Sequence, residues 1–243
     1  MGTIRFAALV AAALLACAAP AASAAGHPAH ATFYTGDEGG ACGFGNWQAT
    51  HPGELSTAVS KVLFKDGASC GTLLKVQCVT SSSCLPGSPV ITVRVTNFCP
   101  PNPSLPSDNG GWCNPPREHL DLSEKAFLKI AQRKAGIVPI TYSEADADGH
   151  SPLRFTIKGN PDFNQVLVDS NSRWSTQAVW IKGSKTEWLP MSRDWGMNWA
   201  SGKVLTGQAL SFKVVDTHGR TVIRDNVFPA GWKFGQTATA AGF

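Results

Sequence analysis

Gly110-Gly111-Trp112-Cys113-Asn114-Pro115-Pro116-Arg117-Glu118-His119-Leu120-Asp121-Leu122-Ser123 is the stretch on which the reading of this chain turns. Its paired glycines and prolines make the first half a loop, and Cys113 gives that loop an anchor. The second half delivers a carboxylate, Asp121, just before Ser123, a good helix N-cap. Leu122 and Phe127 are spaced for a hydrophobic staple, and Gly136 suits a helix stop. The stretch therefore predicts a tethered loop, then Asp121, then a helix with Phe127, Ile130 and Ala131 facing inward. By itself Asp121 reads equally as a functional acid or as a carboxylate favouring the helix N-terminus.

Working outward from that loop, β-branched alternation marks Pro89–Phe98 as a strand, and Gly71–Cys78 as another. Ala31-Thr32-Phe33-Tyr34 reads as a half-buried first strand, followed by a Gly-rich loop from Thr35 to Gly45 that carries Asp37, Glu38 and Cys42. Leu55, Ala58, Val59, Val62 and Leu63 recur at helical spacing, predicting a helix over Glu54–Lys65. Ile137–Tyr142 is a further strand, with Pro139 placing its centre at an edge or bulge.

The chain has 243 residues, 43% hydrophobic and 16% charged, with 24 Gly and 16 Pro. That composition fits a turn-rich, mostly β protein long enough for two domains. Residues 1–24 read as a secretory signal peptide: Arg5, an apolar run from Phe6 to Ala19, then Ala22-Ser23-Ala24 as a small-x-small cleavage site. No later run is long and apolar enough to predict an integral membrane segment. The formal charge is +4, and loss of Arg5 with the leader leaves 4 − 1 = +3, too little to argue for nucleic acid. Of seven cysteines, Cys17 leaves with the leader. The other six, Cys42, Cys70, Cys78, Cys84, Cys99 and Cys113, predict disulfides; zinc is the alternative, weakened by the absence of any C-x-x-C pair.

All six precede a polar, acidic segment, Ser143–Ser151, which reads as a linker. The predicted organisation is a signal peptide (1–24), a first module (25–142), a linker (143–151) and a second module (152–243). Beyond the linker, short strand candidates at Arg154–Lys158, Gln165–Asp169, Gln177–Lys182, Trp188–Met191, Leu210–Val215 and Thr221–Asp225 predict an antiparallel sandwich.

Several stretches together resemble the plant expansins, in particular their α branch. They include Gly40-Ala41-Cys42-Gly43-Phe44-Gly45-Asn46, Thr96-Asn97-Phe98-Cys99-Pro100-Pro101-Asn102, Gly110–Pro116, His119–Ser123, Met191-Ser192-Arg193, Trp195-Gly196, Asn198-Trp199 and Gly231–Thr237. The resemblance spans essentially the whole mature chain. It implies a six-stranded double-psi β-barrel, similar to family-45 glycosidases, joined to an immunoglobulin-like β-sandwich that binds cellulose. It further implies a secreted, monomeric cell-wall protein that loosens contacts between cellulose and matrix glucans such as xyloglucan at acidic pH, without hydrolysis and without cofactor or metal.

The same resemblance assigns site residues. Asp121 matches the general acid of the related glycosidases, with Thr32 and Asn97 as polar cleft residues and Tyr34 and Phe44 as candidates to line the groove. An inverting glycosidase needs a second carboxylate; here only Asp37 and Glu38 are near the expected position, in a shortened loop. A weak glycosidase or transglycosylase is therefore the enzyme alternative, and a carbohydrate-binding defence protein the other. His119 either hydrogen-bonds Asp121 or shapes the loop, and Leu120 replaces the usual Phe. The eight cysteines of α-expansins are reduced to six, with Leu73 where one would stand, and the implied bridges are Cys42–Cys70, Cys78–Cys84 and Cys99–Cys113. Six of the eight tryptophans follow the linker. Flat rings stack on the C–H faces of a glucan, which makes Trp195 and Trp199 the expected platform and Trp174 a third member. Trp188 and Trp232 are expected in packing roles, and Lys182 and Arg193 as possible sugar contacts.

Overall fold

The computed structural model describes residues 26–36, 40–145, 152–170 and 174–243. The expected signal peptide, Asp37, Glu38 and most of the expected linker lie outside these residues.

Six strands close the first module into a barrel: β1 (His27–Tyr34), β2 (Ser56–Val59), β3 (Leu73–Cys78), β4 (Val90–Phe98), β5 (His119–Ser123) and β6 (Val138–Glu144). Their order around the barrel is β1-β5-β2-β4-β3-β6, with β1–β5 and β2–β4 parallel and the other pairs antiparallel. Ala31, Val59, Val76, Val93, Val95, Leu120, Leu122, Val138 and Ile140 are buried in its core. Closure leaves no edge strand. Pro139 is therefore not on an edge; it sits near the start of β6, where a missing N–H is tolerated, and its carbonyl accepts from Val79 N.

Two predicted helices are replaced. Within Glu54–Lys65, Ser56–Val59 form β2, fully buried and paired on both sides. Only Lys61–Phe64 is helical (α2, after a first short helix α1, Trp47–Thr50), and Lys65 ends it in the left-handed region at φ 50°. Of the residues at helical spacing, Ala58 and Val59 are buried, Leu55 and Leu63 partly so and Val62 exposed, and two-sided strand pairing outweighs the helical spacing. The helix after Asp121 shrinks to Glu124–Phe127 (α3), and Ser123 belongs to β5 with no side-chain cap. Its extension is lost to the Cys84 loop, because Ile130 O accepts from Leu85 N and Gln132 N donates to Ser83 O. Phe127, Ile130 and Ala131 are buried as expected.

The six cysteines form Cys42–Cys70, Cys78–Cys84 and Cys99–Cys113, which are the implied bridges and leave no thiolate for zinc. β6 runs to Glu144, and Ala145 N then donates to Leu73 O at 2.9 Å. Ala145 thus lies beside Leu73, which stands where the α-expansin pattern has a cysteine.

The second module comprises β7 (Leu153–Asn160), β8 (Phe163–Asp169), β9 (Thr176–Gly183), β10 (Leu189–Trp195), β11 (Asn198–Ser201), β12 (Leu210–Asp216), β13 (Thr221–Phe228) and β14 (Thr237–Ala240). They form an antiparallel sandwich in the order β13-β12-β9-β10-β11-β8-β7-β14. Phe155 and Phe212 stack inside it at 4.5 Å. No helix among the described residues is long and apolar enough to cross a membrane.

The modules are joined by main chain as much as by side chains. Met197 N donates to Cys42 O at 2.9 Å, and Leu167 and Met197 pack into the barrel's own core cluster. A Cβ on Gly196 would lie 2.5 Å from Ala41 O, and one on Gly67 would lie 3.1 Å from Gly196 Cα. The buried pair His51 and Asp169 spans the seam at 3.3 Å.

Candidate functional site

Four residues occupy one level of the barrel. Thr32 on β1 is in register with Asp121 on β5, Asp121 with Ala58 on β2, and Ala58 with Asn97 on β4. In β5, Leu120 and Leu122 alternate into the core and turn Asp121 to the opposite face. Asp121 is thus a strand residue and not a helix-terminal one.

Thr32 Oγ1 donates to Asp121 Oδ1 at 2.6 Å, and the same oxygen is 2.8 Å from His119 Nε2. His119 therefore reaches Asp121 through Thr32, where the sequence suggested a direct bond or a loop-shaping role. Ser60 steadies the entry to β5, since its hydroxyl donates to Arg117 O and accepts from His119 N. Burial raises the Asp121 carboxyl above the ordinary aspartate value, and the Thr32 bond partly opposes this. Burial, followed by the charges of Arg117 and His30, pushes His119 down to about 3. His30, its neighbour in register on β1, is lowered by burial and by Arg117.

Asn97 Oδ1 accepts from Ala41 N and Phe98 N, each at 2.8 Å, and so fixes the start of the 40–46 loop against β4. Cys42 N adds a bond to Thr96 O. Tyr34 is half-buried two residues beyond Thr32, on the same face of β1. Phe44 does not line the groove: it is buried in the core with its ring 5.1 Å from Trp47.

The loop held by Asn97 leads to Trp195. A side chain at Gly43 would crowd the Trp195 ring at 3.0 Å. Lys158 Nζ, 5.7 Å from that ring, bonds Asn198 Oδ1 at 3.0 Å, and Asn198 Nδ2 donates to Trp195 O. Trp195 keeps 46% of its surface exposed. Asp121, Thr32, Asn97, the 40–46 loop and Trp195 form one connected set across both modules.

The other predicted platform members differ. Trp195 pairs with Asn198 across a tight turn, so Trp199, next along β11, points to the other side of the sheet. It is 3% exposed, with the Arg193 guanidinium 4.4 Å from its ring centre, and offers no face to a ligand. Arg193 is itself spent on main-chain carbonyls of Gly196 and Thr176, and burial lowers it to about 10. Trp174 is half-buried, stacked on His218 at 3.8 Å with Arg220 4.1 Å from its ring centre. Trp232 packs in the sandwich core and bonds Gln208 O, whereas Trp188 is half-buried with Lys182 Nζ 5.7 Å away. Lys158 and the seam glycines were missed by the sequence reading. Lys158 carries no motif, and each glycine reads alone as a turn residue.

Comparison with known proteins agrees with this architecture. The family described as lytic transglycolase matches residues 56–142, and the expansin C-terminal domain matches residues 153–229. The chain is 43% identical to Expansin-A13 of Oryza sativa subsp. japonica over 97% of its own length and 96% of that protein. It is 45% identical to Expansin-A32 of the same organism over 87% of its length and 82% of that protein. Among solved structures, the apo expansin of Clavibacter michiganensis superposes with a TM-score of 0.69 at 24% identity, covering 88% of this chain and 96% of that one. With both modules matched and that identity holding over nearly the full length, the chain belongs to the plant expansins, in their α branch.

Proposed function

We propose that this α-expansin is secreted to the plant cell wall and loosens it by displacing cellulose-type β-glucan from matrix glucans, without cleaving the chains. The observation that carries this reading is that the Asp121 level of the barrel is linked, through Asn97 and the 40–46 loop, to the exposed ring of Trp195. An extended glucan can lie along such a surface, stacking its C–H face on the indole and presenting hydroxyls to Thr32, Asn97 and Asp121. An expansin variant from Clavibacter michiganensis, similar in fold, has been crystallised with cellohexaose.

The non-hydrolytic part of this reading is supported by the identity to plant expansins over nearly the full length. Thr32 and Ala58, the residues paired with Asp121, are not acids. Inverting hydrolysis needs a second carboxylate to activate water, spaced from the first to leave room for it. Acidic conditions suit the site, because burial keeps Asp121 protonated to a higher pH than a free aspartate.

The test is extension of heat-inactivated wall strips under load at acidic pH, run alongside reducing-end release from cellulose and mixed-linkage glucan. Extension without sugar release is expected. Release proportional to extension would make the protein a glycosidase. Binding without extension would make it a carbohydrate-binding protein of another role.

A further inference from the structure

We infer that His119 is the positioning residue of the Asp121 site: its Nε2–H commits the single hydroxyl proton of Thr32 to Asp121 Oδ1, so that the acid carries its own proton on Oδ2. The inference rests on reading Asp121 as the working carboxyl of the cleft.

A threonine hydroxyl has one proton to donate and lone pairs to accept with. Thr32 Oγ1 stands 2.6 Å from Asp121 Oδ1 and 2.8 Å from His119 Nε2, so it serves both at once. With Asp121 ionised, only one order of donors works: Nε2–H to Oγ1, then Oγ1–H to Oδ1. His119 is then the neutral Nε2–H tautomer. Its Nδ1 is buried without a hydrogen-bond partner among the described residues.

When Asp121 takes up a proton, two arrangements compete. In the first, the proton goes to Oδ2 and the chain of donors is unchanged. In the second, the proton goes to Oδ1 and every bond reverses. Thr32 must then donate to Nε2, and the imidazole proton must move to Nδ1. The proton count is the same in both. Nδ1 is unpartnered in both, as a lone pair in the first and as an N–H in the second. A buried N–H left without an acceptor is the less tolerated of the two, and the second arrangement also requires the imidazole to change tautomer. Double protonation of His119 is opposed by burial and by the neighbouring Arg117 and His30, which hold it down to about 3. Oδ2 has no hydrogen-bond partner among the described residues, so the first arrangement presents the acidic proton to whatever enters the cleft.

The test is a pH titration of the full chain, following Asp121 through its carboxyl ¹³C shift and His119 through its ring ¹⁵N shifts. The expected result is an Nε2–H tautomer at every pH across which Asp121 titrates. A switch to the Nδ1–H form, or to the doubly protonated form, at the Asp121 midpoint overturns the inference. His119→Leu should raise the Asp121 midpoint by about one pH unit through loss of the donor chain, and His119→Gln, whose amide can donate in place of Nε2–H, should restore it. A leucine variant with an unmoved midpoint also overturns it. Should His119→Leu fail to fold, Thr32→Val breaks the same chain from its other end, and an unmoved midpoint there is equally decisive against it. None of these readings uses wall extension, so their failure is separate from a failure of the loosening activity.

Discussion

Gly43 and Trp195 touch across the two modules, with the indole close enough that a Cβ on Gly43 would sit 3.0 Å from its ring. Through the 40–46 loop this contact links the amide of Asn97, and hence the Asp121 level of the barrel, to the exposed aromatic face of the sandwich. The predictions follow from that linkage and from the groups around Asp121.

Trp195→Ala should weaken adsorption to crystalline cellulose about tenfold, the loss of roughly 1.4 kcal/mol of ring contact. Its melting temperature should stay close to that of the parent, because the ring is half out of the fold. Trp199→Ala should behave in the opposite way, destabilising the sandwich by about 3–5 kcal/mol as a buried aromatic truncation does. Adsorption isotherms and thermal melts on the same two variants separate a binding ring from a core ring.

Gly196→Ala places a Cβ against Ala41 O and Cys42 at a residue whose φ is 52°. Strain and collision together should cost about 1–3 kcal/mol. The seam should loosen first, giving two calorimetric transitions in place of one. Wall extension should fall more than adsorption to cellulose, because each module keeps its own surface.

Asp121 binds its proton more tightly folded than unfolded, since burial raises its pKa above 3.8. The stability tied to that proton is present below the unfolded value and is lost as pH rises through the folded one. Asp121→Asn should therefore raise the melting temperature at pH 7 and leave it nearly unchanged near pH 3.5, while abolishing wall extension. A variant that is more stable yet inactive would mark Asp121 as kept for work and not for the fold.

His119 has the reverse dependence. Its folded pKa is lowered to about 3 from 6.5, so its contribution is full above 6.5 and declines as pH falls toward 3. Melting curves between pH 7 and 4 should show a smaller acid loss in His119→Gln than in the parent. An identical loss would assign the acid sensitivity elsewhere.

Replacing Cys99 and Cys113 together by Ser opens a tether of sequence separation 14. The expected cost is about 3 kcal/mol. The 100–116 loop should become sensitive to protease while β5, held by β1 and β2, stays protected from hydrogen exchange.

The sequence made the strands legible where side chains alternate and are β-branched, as in Val90–Phe98, and it made the sandwich legible through evenly spaced turns. It hid β2 and β5. Ser56–Val59 is too short and too small to show a period of its own, and His119–Ser123 looked like the approach to a helix because Ser123 has a capping side chain. Both are strands because partners far along the chain supply hydrogen bonds on each side. Asp121, Thr32 and Asn97 were expected as cleft residues through resemblance, and the structure brings them to one level. Trp199 was misplaced because residue type says nothing of which side of a hairpin a ring takes. Phe44, a candidate to line the groove, packs in the core against Trp47 instead. Asp37 and Glu38 fall outside the described residues.

The meeting of Gly67 and Gly196 has a consequence for how such a protein can diverge. Two backbones in direct contact leave no side chain at that point to be enlarged, trimmed or recharged. Substitutions elsewhere can change what the cleft and the aromatic face prefer, yet the span between them stays constant. The molecule thus behaves as a gauge of set length, and a polymer engaging both ends is measured against it before anything else about it is read.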